Sequence, residues 1–314
     1  MRFSILSTLA LVIAAPAGAS PSAELSQVID DHWAFYLETN PVSATRLGVR
    51  IHDDRIDDHS LEAQDRNAAK AKALLDRLAA IAETGLSDAE RTNKGVLARL
   101  LSEQVEANRF GQRMMLFSTY EGWHQSFADL ADRLPFKTGA DYRSYLARLS
   151  GYPKLNRDGI AISRRALDQG YVQPCAALGG FENTITGAVA GKPEDTRFFA
   201  PFTRPRPADV PEAEWSAMKD RALALIRDVL TPEYRAFADF YTREYKPRCR
   251  RSIAASEMPQ GSEYYASRAA WHTTTALSPD RIHQIGLDEV ARIRARMDAV
   301  ARAAGFPSRE AMIG

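Results

Sequence analysis

From Leu25 onward, apolar residues recur with the period of an α-helix, not with the alternation of a strand. Leu25, Val28, Ile29, Trp33 and Leu37 fall on one stripe, which predicts a first helix ending before Asn40. Asn40 followed by Pro41 reads as an N-cap and first helical position, opening a short second helix that reaches Gly48. Ser60 caps a long helix carrying Ala73, Leu74, Leu78 and Ile81, stopped by Gly85. Ser87 with Glu90 forms a capping box for the next, through Val96, Leu97, Leu100, Leu101 and Val105. Helices are also expected at 122–134, 139–149, 154–169, 211–229, 232–245 and 261–275. Ser278 and Pro279 open another, with Ile282, Ile285, Val290, Ile293, Met297 and Val300 on one face up to Gly305. The stretch 192–207, with four prolines and the adjacent Phe198 and Phe199, reads as irregular. Alternating strand runs, fixed-period repeats and low-complexity tracts are lacking, so the fold class is all-α.

The extreme N-terminus breaks this pattern. Arg2 precedes an apolar run from Ile5 to Ala15, and Ala17-Gly18-Ala19 is a small-residue cleavage site. This reads as a secretory signal peptide over 1–19, cleaved after Ala19. The run is shorter than the roughly 20 apolar residues a membrane span takes, and no cysteine follows the cleavage site. The chain is therefore expected to be periplasmic or secreted, without a membrane span after cleavage. Hydrophobic residues at 45% and charged residues at 26% suffice for a packed core. A net charge of +1 gives no basis for nucleic-acid binding.

The two cysteines, Cys175 and Cys249, favour a disulfide in an exported protein. Closing a loop of about 75 residues contributes roughly 4 kcal/mol in the chain-entropy model. Two separate buried thiols are the competing reading.

Reactive chemistry is scarce. "HDDRIDDH", His52 to His59, offers two histidines and four aspartates, an oxygen-rich set of the kind that binds calcium or magnesium. It lacks the ligand spacing and the glycine of a calcium loop. It reads instead as a solvated turn whose aspartates cap neighbouring helices. The histidines His32, His52, His59, His124, His272 and His283 include no pair four apart, so no H-E-x-x-H zinc helix can form. Nucleophile-elbow, Cys-x-x-Cys and Gly-rich phosphate motifs are absent too. "EGWHQSF", Glu121 to Phe127, and "PQGSEYYASRAAWHTTT", Pro259 to Thr275, place Trp123, His124, Tyr264, Tyr265 and His272 on helices. Such residues can line a cleft, but packing is the better account of them. His283 and Asp288, five apart, share no face, and His283 is expected to be a satisfied structural histidine.

The order of four motifs goes further: "YLETNPVSATRLGV", "RLPFKTGADYRSYLARL", "YKPRCRRSI" and "MPQGSEYYASRAAWHTTTALSPDRIHQIGLDEVARIRARM". In that order they resemble the bacterial family of domain of unknown function 885. The likeness runs from Asn40-Pro41 to Gly305-Phe306 and is most specific over 261–290. It implies a mostly helical, exported, zincin-type metallopeptidase-like protein with a cleft between helical halves, in which zinc is the cofactor of full-length members. The family's histidine–glutamate metal motif lies in its C-terminal half, so no residue of this sequence inherits a ligand role. No metal ligand is assigned in this chain. On this reading residues 20–314 are one half of a larger peptidase-like domain, lacking the metal-binding half that packs on it. A peptide is the implied substrate, Tyr264, Tyr265 and His272 being its candidate contacts. The sequence's own end agrees: Ser308 caps a helix that stops within roughly two turns, too short to be stable alone, so the polypeptide is expected to be incomplete. The alternative is a non-catalytic helical binding protein or a degenerate remnant of such an enzyme. N-terminal sequencing of the exported protein is expected to begin at Ser20; a product retaining Met1 would overturn the leader assignment.

Overall fold

A computed structural model describes residues 19–314; the expected leader, but for Ala19, lies outside the described residues. Hydroxyl caps set where the helices start. Ser20 accepts the Ala23 N–H to open α1 (Pro21–Thr39), and Asn40 leads into α2 (Pro41–Arg46). Ser60 caps α3 (Leu61–Ala80), and the Ser87–Glu90 capping box starts α4 (Asp88–Arg109). Two short helices, α5 (Trp123–Ala128) and α6 (Leu130–Arg133), precede the 31-residue α7 (Gly139–Gln169), opened by a second capping box between Thr138 and Asp141. Then come α8 (Phe181–Thr186), α9 (Glu212–Leu225) and α10 (Thr231–Phe240). The chain closes with α11 (Gly261–Thr273), α12 (Pro279–Ala303) and α13 (Arg309–Ile313). Among the described residues the only β-pairings are isolated bridges, Phe117 with Gly122 and Pro174 with Arg250. The all-α reading holds.

Two apolar layers organise the body. α1, α3 and α4 share one through Leu25, Val28, Leu74, Leu78, Leu97 and Leu101. The larger one surrounds α7 and is mostly aromatic: Phe117, Trp123 and Phe127 meet Tyr142, Tyr152, Phe181, Tyr234 and Phe237. Buried tyrosines need partners for their hydroxyls, and for Tyr142 and Tyr145 those partners lie on irregular backbone. Tyr142 donates to the Pro201 carbonyl at 3.1 Å and Tyr145 to that of Phe198 at 3.0 Å. The proline-rich 192–207 stretch thus stays irregular yet is pinned to α7, with Phe198 and Phe202 buried. Cys175 and Cys249 form a disulfide with Cα atoms 5.1 Å apart. Beside it the Cys175 N–H bonds the Arg250 carbonyl at 2.8 Å.

At three places the helices join or break otherwise than the sequence predicts. The helices expected at 139–149 and 154–169 are one, α7, with Pro153 inside it. An interior proline costs about 3 kcal/mol. The buried stripe of Tyr145, Leu149, Tyr152, Asn156 and Ile160 stays in phase across it, and that packing outweighs the lost bond. α9 and α10 likewise run on through Pro232 by way of a π turn at Ile226–Leu230, where the Thr231 hydroxyl donates to the Ile226 carbonyl at 2.8 Å. The wider turn absorbs the missing N–H. The 122–134 helix is instead broken between α5 and α6 at Asp129.

One buried charge ties α7 to α2 and the 50–59 loop. Arg148 is 1% exposed, in the α7 stripe where an apolar residue belongs. Its guanidinium donates to the carbonyls of Arg55 at 2.8 Å, and of Pro41 and His52 at 3.3 Å. It also donates to Thr45 Oγ1 at 2.6 Å, and that hydroxyl in turn donates to Asp53 at 2.6 Å. Arg50 bridges Asp53 to Asp141, the acidic member of the α7 capping box. Burial pulls the Arg148 pKa below its ordinary value, but the nearby Asp53 and Asp57 favour the charged form, and a guanidinium keeps its proton. Replacing Arg148 by Met takes a charged donor from three carbonyls and from the Thr45 hydroxyl; urea unfolding is expected to show a loss of about 3 kcal/mol. Arg148→Lys should recover only part of it, and a loss below about 1 kcal/mol for the Met variant would refute the clamp.

Candidate functional site

The α11–α12 hairpin carries the residues singled out as substrate contacts, and the structure divides them between two faces. Tyr264, Arg268 and Trp271 follow i, i+4, i+7 spacing and turn toward α4. There the Tyr264 ring meets Phe110 edge-on at 5.5 Å, Arg268 pairs with Glu103, and Arg99 lies 4.5 Å from the Trp271 ring. Tyr264 is therefore a packing residue. Tyr265 and His272, seven apart, lie together about a quarter turn round the helix and are exposed. Tyr265 edges a cleft of about 460 Å³ with Ser256 and Asp280. α11 ends at Thr273, short of the expected 275, with Thr274 at φ 58° turning the chain into α12.

α12 is the most unusual element. It is 25 residues long, about 37 Å, and Ala301 is its one buried side chain. Its contacts run to α11 at one end and α13 at the other. The stripe of Ile285, Val290, Ile293, Met297 and Val300 is open, Val300 being 50% exposed. An amphipathic helix is normally stabilised by burying such a stripe. His283 lies exposed on this helix, so the expectation of a satisfied structural histidine fails: α12 has no core to hold it in. Near the C-terminal end, Ile293, Met297 and Val300 join Met312 and Ile313 of α13 around a groove of about 360 Å³ rimmed by Arg292 and Arg296.

The other motifs have structural roles. In "EGWHQSF" the Trp123 indole N–H donates to Asn156 Oδ1 at 3.1 Å, and His124 Nε2 lies 2.9 Å from the Thr184 hydroxyl. Both rings are buried, with Phe181 and Phe237 against His124. In "HDDRIDDH" Asp58 accepts the Ser60 N–H at 2.9 Å at the start of α3, and Asp57 accepts the Val42 N–H at 3.4 Å in α2. The loop's carbonyls serve Arg148. It is the capping turn read from the sequence, with a second task that the sequence did not suggest. Sequence reasoning missed Arg148 itself; the signal available was an arginine in phase with Tyr145, Leu149 and Tyr152.

Among the described residues, no group of three or more His, Cys, Asp or Glu side chains could hold a metal ion. The chain's own donors therefore do not fit a zinc site. No helix among the described residues is long and apolar enough to cross a membrane.

Fold and surface together define an all-helical scaffold with an open amphipathic face. The chain belongs to the family described as bacterial protein of unknown function (DUF885), which it matches over residues 41–313. No curated protein matches it. Among solved structures, four chains match. One of them, "the putative lipoprotein from Colwellia psychrerythraea", superposes with a TM-score of 0.81 at 20% identity. The alignment covers 94% of this chain and 54% of that one. The likeness establishes the shared fold, and the present chain spans about half the length of that solved relative.

His124 makes stability depend on pH. Burial among aromatic rings pushes its pKa from 6.5 down to about 3. Nδ1 has no hydrogen-bond partner among the described residues. The unfolded imidazole gains a proton below about pH 6.5, whereas the folded one stays neutral until about pH 3. Stability is thus complete above the upper value and lost as pH falls through this window. His32, also depressed by burial, acts in the same direction. Melting temperature is expected to fall as pH drops from about 6.5, and His124→Gln to flatten that slope. An equal slope in the variant would assign the effect elsewhere.

Proposed function

We propose that this chain forms the N-terminal helical wall of an exported, zinc-dependent, peptidase-like hydrolase. Its α11–α12 face seats further family polypeptide that brings the metal chemistry. The observation that carries this reading is the open stripe of α12. Ile285, Val290, Ile293, Met297 and Val300 are each more than a third exposed. Covering each adds roughly 1 kcal/mol, and a contiguous apolar surface of this kind marks an interaction site. The solved relative is nearly twice as long as this chain, which supports a family partner over an unrelated one. Residues of this chain would then bind and shape the cleft. Tyr265 and His272, on the exposed face of α11, supply an aromatic surface and a polar tip for a peptide, and Tyr264 holds their helix on α4. The leader at 1–19 and the family neighbour described as a lipoprotein support export to the periplasm or beyond.

A second reading has its own support. Because no metal-ligating cluster forms among the described residues, the chain also suits a non-catalytic binding protein whose partner covers α12. Intact mass, zinc content and peptide hydrolysis of the natural gene product separate the two. The hydrolase reading expects bound zinc and hydrolysis, both lost or weakened by Ile293→Asp with Met297→Asp, while urea unfolding of the present chain shifts by no more than about 0.5 kcal/mol. A zinc-free, inert natural product would select the binding protein instead.

A further inference from the structure

α1 and α3 touch through Leu25, Val28, Leu74 and Leu78, then part where α1 ends and α3 begins. The gap is a cleft of about 620 Å³, within the size range of ligand sites. Its two walls have the same spacing and opposite charge. From α1 come Asp31, Ala34, Phe35 and Glu38, at i, i+3, i+4 and i+7. From α3 come Ala63, Arg66, Asn67 and Lys70, again at i, i+3, i+4 and i+7. Each set is therefore one helix face. α1 contains acids and no lysine or arginine, so its wall is negative. The Arg55 side chain, against His52 at 3.2 Å, reinforces the basic side. Pro41 and Ile56 complete the apolar floor.

Opposed charges on neighbouring helices usually close on one another. They do so at the packed end of this pair, where Arg77 meets Asp31 at 2.6 Å. Across the rest of the cleft they stay apart: among the described residues neither Glu38 nor Lys70 enters an ion pair, while Arg66 comes to 4.0 Å from Asp58, which also lines the cleft. The floor is held firm, since Arg148 binds the carbonyls of both Pro41 and Arg55. A site with a fixed base and complementary walls kept apart is pre-organised for an occupant bearing both charges.

We propose that this cleft binds an amino acid or short peptide with a free ammonium and a free carboxylate. The ammonium meets Glu38, the carboxylate meets Arg66 and Lys70, and the intervening apolar part rests on Phe35 and Ile56. The site is separate from the α11–α12 face, and its test reads binding, not hydrolysis, so it stands or falls independently of the function proposed above.

Titration calorimetry at low salt with trialanine, and with its N-acetylated, C-amidated form, tests the proposal. Trialanine is expected to bind, with the doubly capped peptide weaker by about tenfold or more. Glu38→Gln and Lys70→Met should each weaken trialanine about tenfold. Both side chains are exposed, so the variants should melt with the parent protein in the absence of ligand. No binding at millimolar trialanine, equal affinity for the capped form, or unchanged affinity in both variants would overturn it.

Discussion

The Arg148 guanidinium is the constraint on which much of this fold depends. A cation in an interior is costly unless its donors are satisfied, and α7 cannot satisfy it alone. The solution recruits backbone from a segment roughly a hundred residues away: Pro41, His52 and Arg55 turn their carbonyls inward. That choice fixes the path of the 50–59 loop, the start of α2 and, through Asp53 and Arg50, the first turn of α7. The aspartates around the loop then make sense as negative charge that offsets the buried guanidinium without contacting it directly. A loop with the look of a metal site is in fact organised around an arginine.

The helices themselves were legible because their signals are local. Ser60, Ser87 with Glu90, and Ser278 with Pro279 each mark a helix start by chemistry confined to a single turn, and each start stands. The failures lie where long-range packing overrides a local rule. Pro153 reads as a break, yet aromatic contacts on both sides of it hold α7 straight through. Pro232 reads as a new start, yet a π turn joins the helices on either side. The disulfide was readable from the cysteine pair, because pairing is the favoured state wherever a protein is exported. The role of Arg148 was not readable by residue type, because arginine is ordinarily a surface residue; only its phase within the stripe distinguishes it.

The candidate site was legible to a smaller degree. Tyr264, Tyr265 and His272 were chosen for composition, and composition does not say which way a helix faces. Once α11 is set on α4 by the Arg268–Glu103 pair, its 3.6-residue period sends Tyr264 inward and Tyr265 outward. The open stripe of α12 was visible as a periodic pattern, but periodicity predicts only that a face is apolar. It cannot tell whether this chain or another polypeptide covers it. The same limit applies to the cleft between α1 and α3, whose facing residues are about thirty apart in sequence and match only after the helices are paired.

Two kinds of surface therefore coexist in one scaffold, and their chemistry argues for different occupants. The α12 stripe is apolar along its length, with arginines at its edge, so what covers it gains mainly by dehydration and must be extended enough to follow a helix. That requirement suits polypeptide. The α1–α3 cleft has an apolar floor but charged walls, and its charges remain hydrated until something replaces the water. Only an occupant that supplies both signs at once can recover that cost, and a large partner with a single charged patch would leave one wall unpaired. A small zwitterion meets the condition with the fewest atoms. The rigid carbonyl anchorage beneath the cleft lowers the ordering cost of capture, which is why Arg148 bears on recognition as well as on stability.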